Sequence, residues 1–329
     1  MREKKKVIIY GLGIGYTRIR DYIMNQCDVV GYSDRNGDRR EILGEEKNKF
    51  ILPEHLTDAE FDFICITSKK YFQEIKNRLQ EIIGKQNRDK IVSVYEIFGD
   101  FRNEEVRNQW VADQISKIPE GKILLDAGAG EQKYRPFCAH LKYIAQDFGE
   151  FVPGETSVGL SQDILWDYTG INITCDIVDM PLEDEAVDAV LCTEVFEHLK
   201  NPMLALKEFS RILKPGGTLI LTAPVCCLTH MAPYFYYNGF SEFWYKEHLG
   251  EFGFEIRDFV SNGNYFKYIC QELFRAANMA QRYCDTKLTS EELNTISDSM
   301  EIMMRLSEKD KGSDETLCFG KMLTAVKVR

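Results

Sequence analysis

The chain has 329 residues, with 41 basic and 52 acidic side chains and a formal net charge of −11. At about 100–200 residues per domain this length predicts two domains, and a composition of 44% hydrophobic and 28% charged residues excludes wholesale disorder. No apolar run approaches the roughly 18–20 residues of a bilayer span. Met1-Arg2-Glu3-Lys4 leads straight into a strand-like segment rather than a signal-peptide core. The ten cysteines are scattered, and Cys65, Cys175 and Cys192 lie inside apolar runs, the pattern of reduced thiols in a cytoplasmic protein. No CxxC pair occurs, and the adjacent Cys226-Cys227 lack further ligands at suitable spacing, so no metal is expected.

The first 104 residues carry 19 basic and 18 acidic side chains, the remainder 22 and 34. A second half at −12 repels a phosphate backbone, which disfavours nucleic acid as its partner. An acidic surface also simply keeps a protein soluble.

In chain order, the apolar run Val7–Tyr10 enters Gly11-Leu12-Gly13-Ile14-Gly15-Tyr16, a buried strand running into a glycine-rich turn before a helix. Asp28–Ser33 reads as a second strand, closed by Asp34 about twenty residues after the glycines. Phe61–Thr67 reads as a third. The next segment places Phe72, Ile75, Leu79, Ile82 and Ile83 on one helical face and stops at Gly84, and Ile91–Val94 reads as a fourth strand. Tyr16 stands where the dinucleotide fingerprint has its third glycine, so Gly11, Gly13, Gly15 and Asp34 either bind a nucleotide or nucleotide-sugar or serve only a tight turn. The unit resembles the small Rossmann-like domains found near nucleotide-sugar and surface-polysaccharide enzymes, the likeness resting on residues 5–98 and on the Val29-Val30-Gly31-Tyr32-Ser33-Asp34 strand. A helix over about 103–117 and the breaker Pro119-Glu120-Gly121 follow, giving domains at 1–101 and 102–329.

The second unit opens with strand Lys122–Asp126 and the small-residue turn Ala127-Gly128-Ala129-Gly130; no GK[ST] follows, which excludes a P-loop. Tyr143–Asp147 is a strand that again ends in an acid. Asp179-Met180-Pro181-Leu182 precedes the strand Ala189–Thr193, which ends at Glu194 before Val195-Phe196-Glu197-His198-Leu199. Asn201-Pro202 reads as a helix cap and first residue, Lys214–Gly217 as the helix stop, and Thr218–Pro224 as the next strand.

In order and spacing, these residues resemble the class I S-adenosylmethionine-dependent methyltransferases from about Lys122 to Pro224. The resemblance implies two Rossmann-like three-layer α/β/α domains. The second would hold a seven-stranded sheet whose last strand, from about Leu317 to Val328, is antiparallel. It implies S-adenosylmethionine as cofactor and S-adenosylhomocysteine as product. Asp126, Ala127, Gly128 and Gly130 would flank the methionine part, Asp147 the ribose, and Asp179 and Met180 the adenine, with Glu194 to His198 walling the methyl group.

A hydroxyl acceptor must lose a proton during transfer, a task suited to histidine. His198 follows the fourth strand of this unit and His230 the fifth, in an aromatic stretch with Tyr234 and Tyr237. Either is a candidate base. His230, Tyr234, Tyr237 and Trp166 are candidate acceptor contacts, with His230 alternatively an internal hydrogen-bonding group and Trp166 a core anchor. The segment Asp163–Asp167 is expected to cover the cofactor or acceptor. The tail from Gln271 to Ser307 reads as helical, its Met300, Met303 and Met304 serving a core or a homodimer face.

The expected activity is methylation of a small molecule, a sugar or nucleotide-linked intermediate of surface polysaccharide or secondary metabolism. The alternatives are methylation of a protein or other macromolecule, with the first domain as docking module, and a non-catalytic binder of the cofactor.

Overall fold

Apolar runs four to seven residues long, bounded by glycines and acids, can be buried on both faces only in a parallel sheet covered by helices. The computed structural model describes residues 4–68, 71–93, 102–152, 158–160 and 166–328. Val94 of the fourth expected strand and Asp163, Ile164 and Leu165 of the expected cover lie outside them. The chain divides into two units, Met1–Phe101 with Ile269–Lys309, and Arg102–Tyr268 with Asp310–Arg329. Chain order places everything after residue 102 in one domain; the structure instead groups the helical segment 269–309 with the first unit.

In the first unit, β1 (Lys6–Tyr10), β2 (Asp28–Ser33), β3 (Phe63–Ile66) and β4 (Ile91–Ser93) form a parallel sheet ordered β2-β1-β3-β4. Helix α1 (Ile14–Gln26) follows the glycine turn, and α2 (Phe72–Ile83) buries Leu79 and Ile83 against the sheet and ends at Gly84. The tail helices explain the regrouping. From α6 (Tyr265–Cys284), Phe274 stacks on Tyr22 of α1 at 5.1 Å, and the Tyr22 hydroxyl donates to the Leu273 carbonyl. From α7 (Ser290–Ser307), Asn294 Oδ1 accepts from Asn25, while Met300 is buried and makes the methionine-rich stretch partly core.

In the second unit, helix α3 (Asn103–Ser116) leads into β5 (Ile123–Ala127), β6 (Lys142–Asp147), β7 (Ile173–Thr174), β8 (Val187–Thr193), helix α4 (Pro202–Ile212), β9 (Leu213–Pro224), helix α5 (Glu242–Glu251), β10 (Phe254–Asn262) and β11 (Gly320–Lys327). The seven strands are ordered β10-β11-β9-β8-β5-β6-β7. All neighbours are parallel except β11, which runs antiparallel between β9 and β10, as the sequence predicts. The chain steps outward from β5 to β6 and β7, then returns to the other side of β5 with β8. That reversal opens a crevice at the carboxyl ends of β5 and β8, the place where open α/β sheets bind ligands.

The core beneath the crevice is apolar on both faces, with Leu125, Val190, Phe196, Phe209 and Leu221 on one side and Val111, Ile115, Leu124, Leu191 and Ile220 on the other. Phe209 of α4 stacks on Phe196 at 6.4 Å, and Phe196 sits between Val195 and Glu197 in the loop after β8. Replacing fully buried Phe209 with alanine should cost about 3–5 kcal/mol in chemical denaturation and should loosen the Glu194–His198 loop, read as faster amide exchange at residues 195–199.

Candidate functional site

The turn after β5 has little room. Gly128 has φ +76°, and a Cβ there would lie 2.5 Å from Val195 Cγ2, so glycine is required both by conformation and by the close approach of the loop after β8. The turn is pinned to β6: Gly128 and Ala129 donate to the Gln146 carbonyl at 2.9 and 2.8 Å, and the Gly130 amide donates to Asp147 Oδ2 at 2.9 Å. Trp166 lies across it, its ring edge 3.0 Å from where a β-carbon at Gly130 would lie, closer than van der Waals contact, and packs edge-on to Phe151. This places Trp166 as a cover on the glycine turn.

Asp126 and Asp147 sit at the ends of β5 and β6, both nearly inaccessible. The Tyr143 hydroxyl donates to Asp126 Oδ2 at 2.6 Å. Burial pushes the Asp126 carboxyl up to about 7; the tyrosine opposes this, and the nearby Asp147 charge adds to it. The folded chain therefore keeps a proton there that the unfolded chain releases near 3.8. With more protons bound in the folded state, stability falls as pH rises from about 4 to 7 and levels off above. Asp126→Asn should flatten that part of the profile of melting temperature against pH, because the amide cannot titrate.

The third acid differs from the sequence reading. β7 is two residues long, and Asp176 stands just beyond its carboxyl end, its Oδ1 accepting from the Val178 amide at 3.2 Å. Asp179 lies further along the turn and is exposed. The Met180 amide donates to Glu208 Oε1 at 2.8 Å, and the Met180 side chain is buried in the core. Arg211 fixes the same loop through the Met180 and Leu182 carbonyls. Asp176 is exposed like Asp179 and stands nearer the end of β7.

Beyond β8, Glu194 adopts φ +53°. Its carboxylate is spoken for: Oε1 accepts from the Thr222 hydroxyl at 2.9 Å, and Oε2 pairs with Arg107 of α3 at 2.8 Å. Glu197, which the sequence places only within the Glu194–His198 wall and gives no role of its own, is 1% exposed, and its Oε2 has no hydrogen-bond partner. Its Oε1 lies 3.8 Å from His198 Nε2 and 4.0 Å from His230 Nε2. Burial, reinforced by the Glu194 charge, holds its carboxyl well above the usual carboxylate range.

Both imidazoles are oriented the same way. His198 Nδ1 meets the Tyr234 carbonyl at 2.5 Å and His230 Nδ1 meets the Leu228 carbonyl at 2.9 Å; a carbonyl only accepts, so Nδ1 carries the proton and Nε2 the lone pair. Burial, with His230 beside it, pushes His198 down to about 4, so it is neutral at ordinary pH. The rings meet edge to face at 4.7 Å with Phe235 against both. The Tyr234 ring packs on Phe148, next to Asp147, and thereby connects the acid row to the histidine pair. The Tyr237 ring packs on Phe240 and its hydroxyl donates to the Lys200 carbonyl.

In the first unit the glycine turn is closed from within. Asp34 accepts from the Leu12 amide at 2.7 Å and the Asn36 amide at 2.8 Å and pairs with Arg39. Thr67 donates to the Gly11 carbonyl at 2.5 Å, and a Cβ at Gly15 would strike the Thr67 carbonyl oxygen at 2.3 Å. Gly13 lies against Arg39, and Tyr16 is buried edge-on to Tyr32 at 5.9 Å. Asp34 thus holds its own turn, as Asp147 in the second unit accepts from the Gly130 and Gly149 amides.

Residues 125–221 match the methyltransferase domain family, and residues 3–92 match the C2185-like N-terminal family. An uncharacterized methyltransferase of Schizosaccharomyces pombe is 34% identical over 116 residues, which is 34% of this chain and 43% of that protein. A second protein of that yeast, uncharacterized and methyltransferase-like, is 29% identical over 218 residues, 61% of this chain and 73% of its own length. A tRNA (carboxymethyluridine(34)-5-O)-methyltransferase of Arabidopsis thaliana is 29% identical over 196 residues, 58% of this chain and 45% of that protein. The chain thus spans under half the length of the first and third of these relatives. The second unit is a class I S-adenosylmethionine-dependent methyltransferase domain. Among the described residues no helix is long and apolar enough to cross a membrane.

Proposed function

We propose that this chain transfers a methyl group from S-adenosylmethionine to a hydroxyl oxygen of a small molecule, with a sugar as the favoured acceptor class. The cofactor supplies an electrophilic methyl on a sulfonium sulfur. The residues fit it: a glycine turn that a Cβ at Gly128 would fill, and acids at the ends of three adjacent parallel strands. In this reading the 128–130 backbone and Asp126 hold the methionine part, Asp147 the ribose hydroxyls, and Asp176 the adenine edge, while Trp166 excludes water.

The observation that carries the oxygen acceptor is the cluster of Glu197, His198 and His230 beyond the ends of β8 and β9. A hydroxyl must shed its proton as the oxygen–methyl bond forms, and two imidazoles with Nε2 lone pairs turned inward beside a buried carboxyl can receive it. Tyr234, Phe235 and Phe148 give the adjoining wall an aromatic surface suited to the apolar faces of a sugar ring. The net charge of the second half argues against a nucleic-acid backbone there, although a relative acts on tRNA.

Glu197→Gln should lower turnover by about 10²–10⁴-fold with cofactor affinity kept. The measurement is S-adenosylhomocysteine release, with calorimetric titration of S-adenosylmethionine in parallel. The acceptor panel is nucleotide sugars, free sugars and bulk tRNA. Transfer to tRNA alone would overturn the small-molecule reading, and an unchanged rate in the variant would overturn the role of the cluster.

A further inference from the structure

We infer that Glu197, His198 and His230 form a binding site for one divalent transition-metal cation, and that an acceptor hydroxyl coordinates this cation. The inference rests on the oxygen-acceptor reading for its catalytic half only.

Glu197 and His198 lie together in the turn after β8 and His230 in the loop after β9, and the three side chains converge. Oε1 of Glu197 and the two Nε2 atoms all lie within 4.8 Å of one another. Bonds of about 2.0–2.2 Å to nitrogen and oxygen ligands would bring such donors to roughly 3–3.5 Å, a closure of about 1 Å that small side-chain rotations supply. Two imidazoles and a carboxylate are a donor set suited to zinc, manganese, iron or cobalt in the divalent state.

Two independent observations point to a cation. The first is Glu197 itself, with one oxygen facing both histidines and the other buried without a partner. An uncompensated buried carboxylate is costly. Glu194 cannot share Arg107 with it freely, since it holds that guanidinium at 2.8 Å. A cation at the convergence point supplies the missing charge. The second is the orientation of the imidazoles. Each Nδ1–H is held by a backbone carbonyl, which fixes the tautomer and aims Nε2 inward, as the outer contacts of metal-bound histidines do. A pair of core histidines needs no such common aim.

Three protein donors leave open positions on the cation. An acceptor hydroxyl bound in one becomes more acidic, and its proton leaves to solvent water. The oxygen–methyl bond then forms as the sulfur–methyl bond breaks, the electron pair returning to sulfur. His198 and His230 act here as ligands, and the cluster as a whole does what a single base would do.

The test uses the full chain, stripped with a chelator and titrated with Co²⁺ alone. The expected result is one equivalent bound, with ligand-field absorption from a nitrogen–oxygen site, and a loss of affinity of at least tenfold in Glu197→Gln and in His230→Ala. Titration of S-adenosylmethionine against the same variants, unchanged, shows that they fold. No uptake by the intact chain, or equal uptake by both variants, overturns the site. A second arm reads methyl transfer. Loss on chelation with recovery on adding Mn²⁺ or Zn²⁺ supports the catalytic role, and full transfer by the stripped chain overturns it. Co²⁺ binding without transfer to any hydroxyl acceptor leaves the metal site standing and removes the oxygen-acceptor reading.

Discussion

The contact between Gly128 and Val195 sets the geometry of the second unit's ligand crevice. With 2.5 Å between Val195 and the place where a β-carbon would start, the loops after β5 and β8 lie against each other with no side chain between them. That approach is available only where the chain reverses direction across the sheet. It puts the acid row, Asp126 and Asp147, on one side of the crevice and the Glu194–His198 loop on the other. The hydrogen bonds from Gly128 and Ala129 to Gln146 and from Gly130 to Asp147 lock the turn to β6. A turn held this tightly keeps its shape when a ligand binds, the condition for positioning a reacting group.

The two acids after β8 are neighbours with opposite situations. Glu194 lies in the left-handed region and is held by Thr222 and Arg107, so its charge is compensated and its position fixed. Glu197 is deeper, has one oxygen without a partner, and feels Glu194 as a like charge. The ion pair that stabilises one carboxylate thus sharpens the demand of the other for a positive partner or a proton. Phe196, stacked on Phe209, fixes the backbone between them and keeps this asymmetry from relaxing.

The sheets were legible because parallel strands buried on both faces are continuous apolar runs ended by small or acidic residues. Asp126, Asp147 and the 128–130 turn were visible for the same reason. Legibility ended where partners come from distant segments. Glu197 looks like one acid in a short turn until His230, a helix and a strand later, is brought beside it. Asp179 drew attention through the residues after it, but a strand of two residues gives no periodicity, so the acid at its end, Asp176, carried no signal. The tail helices read correctly as helices. Their grouping with the first unit depends on Tyr22 and Asn25 of α1, which no local pattern links to Phe274 and Asn294.

The first unit shows how a motif can keep its shape while its polar groups are spent internally. Tyr16 replaces the glycine that would allow close helix–strand approach and is instead buried against Tyr32. Both Asp34 oxygens accept within the turn, from the Leu12 and Asn36 amides and from Arg39. The second unit makes the opposite choice at Glu197, where a buried oxygen is left without a partner. Burying a polar group unpaired is costly wherever it occurs, and in this chain it occurs beside two histidines aimed at the same point.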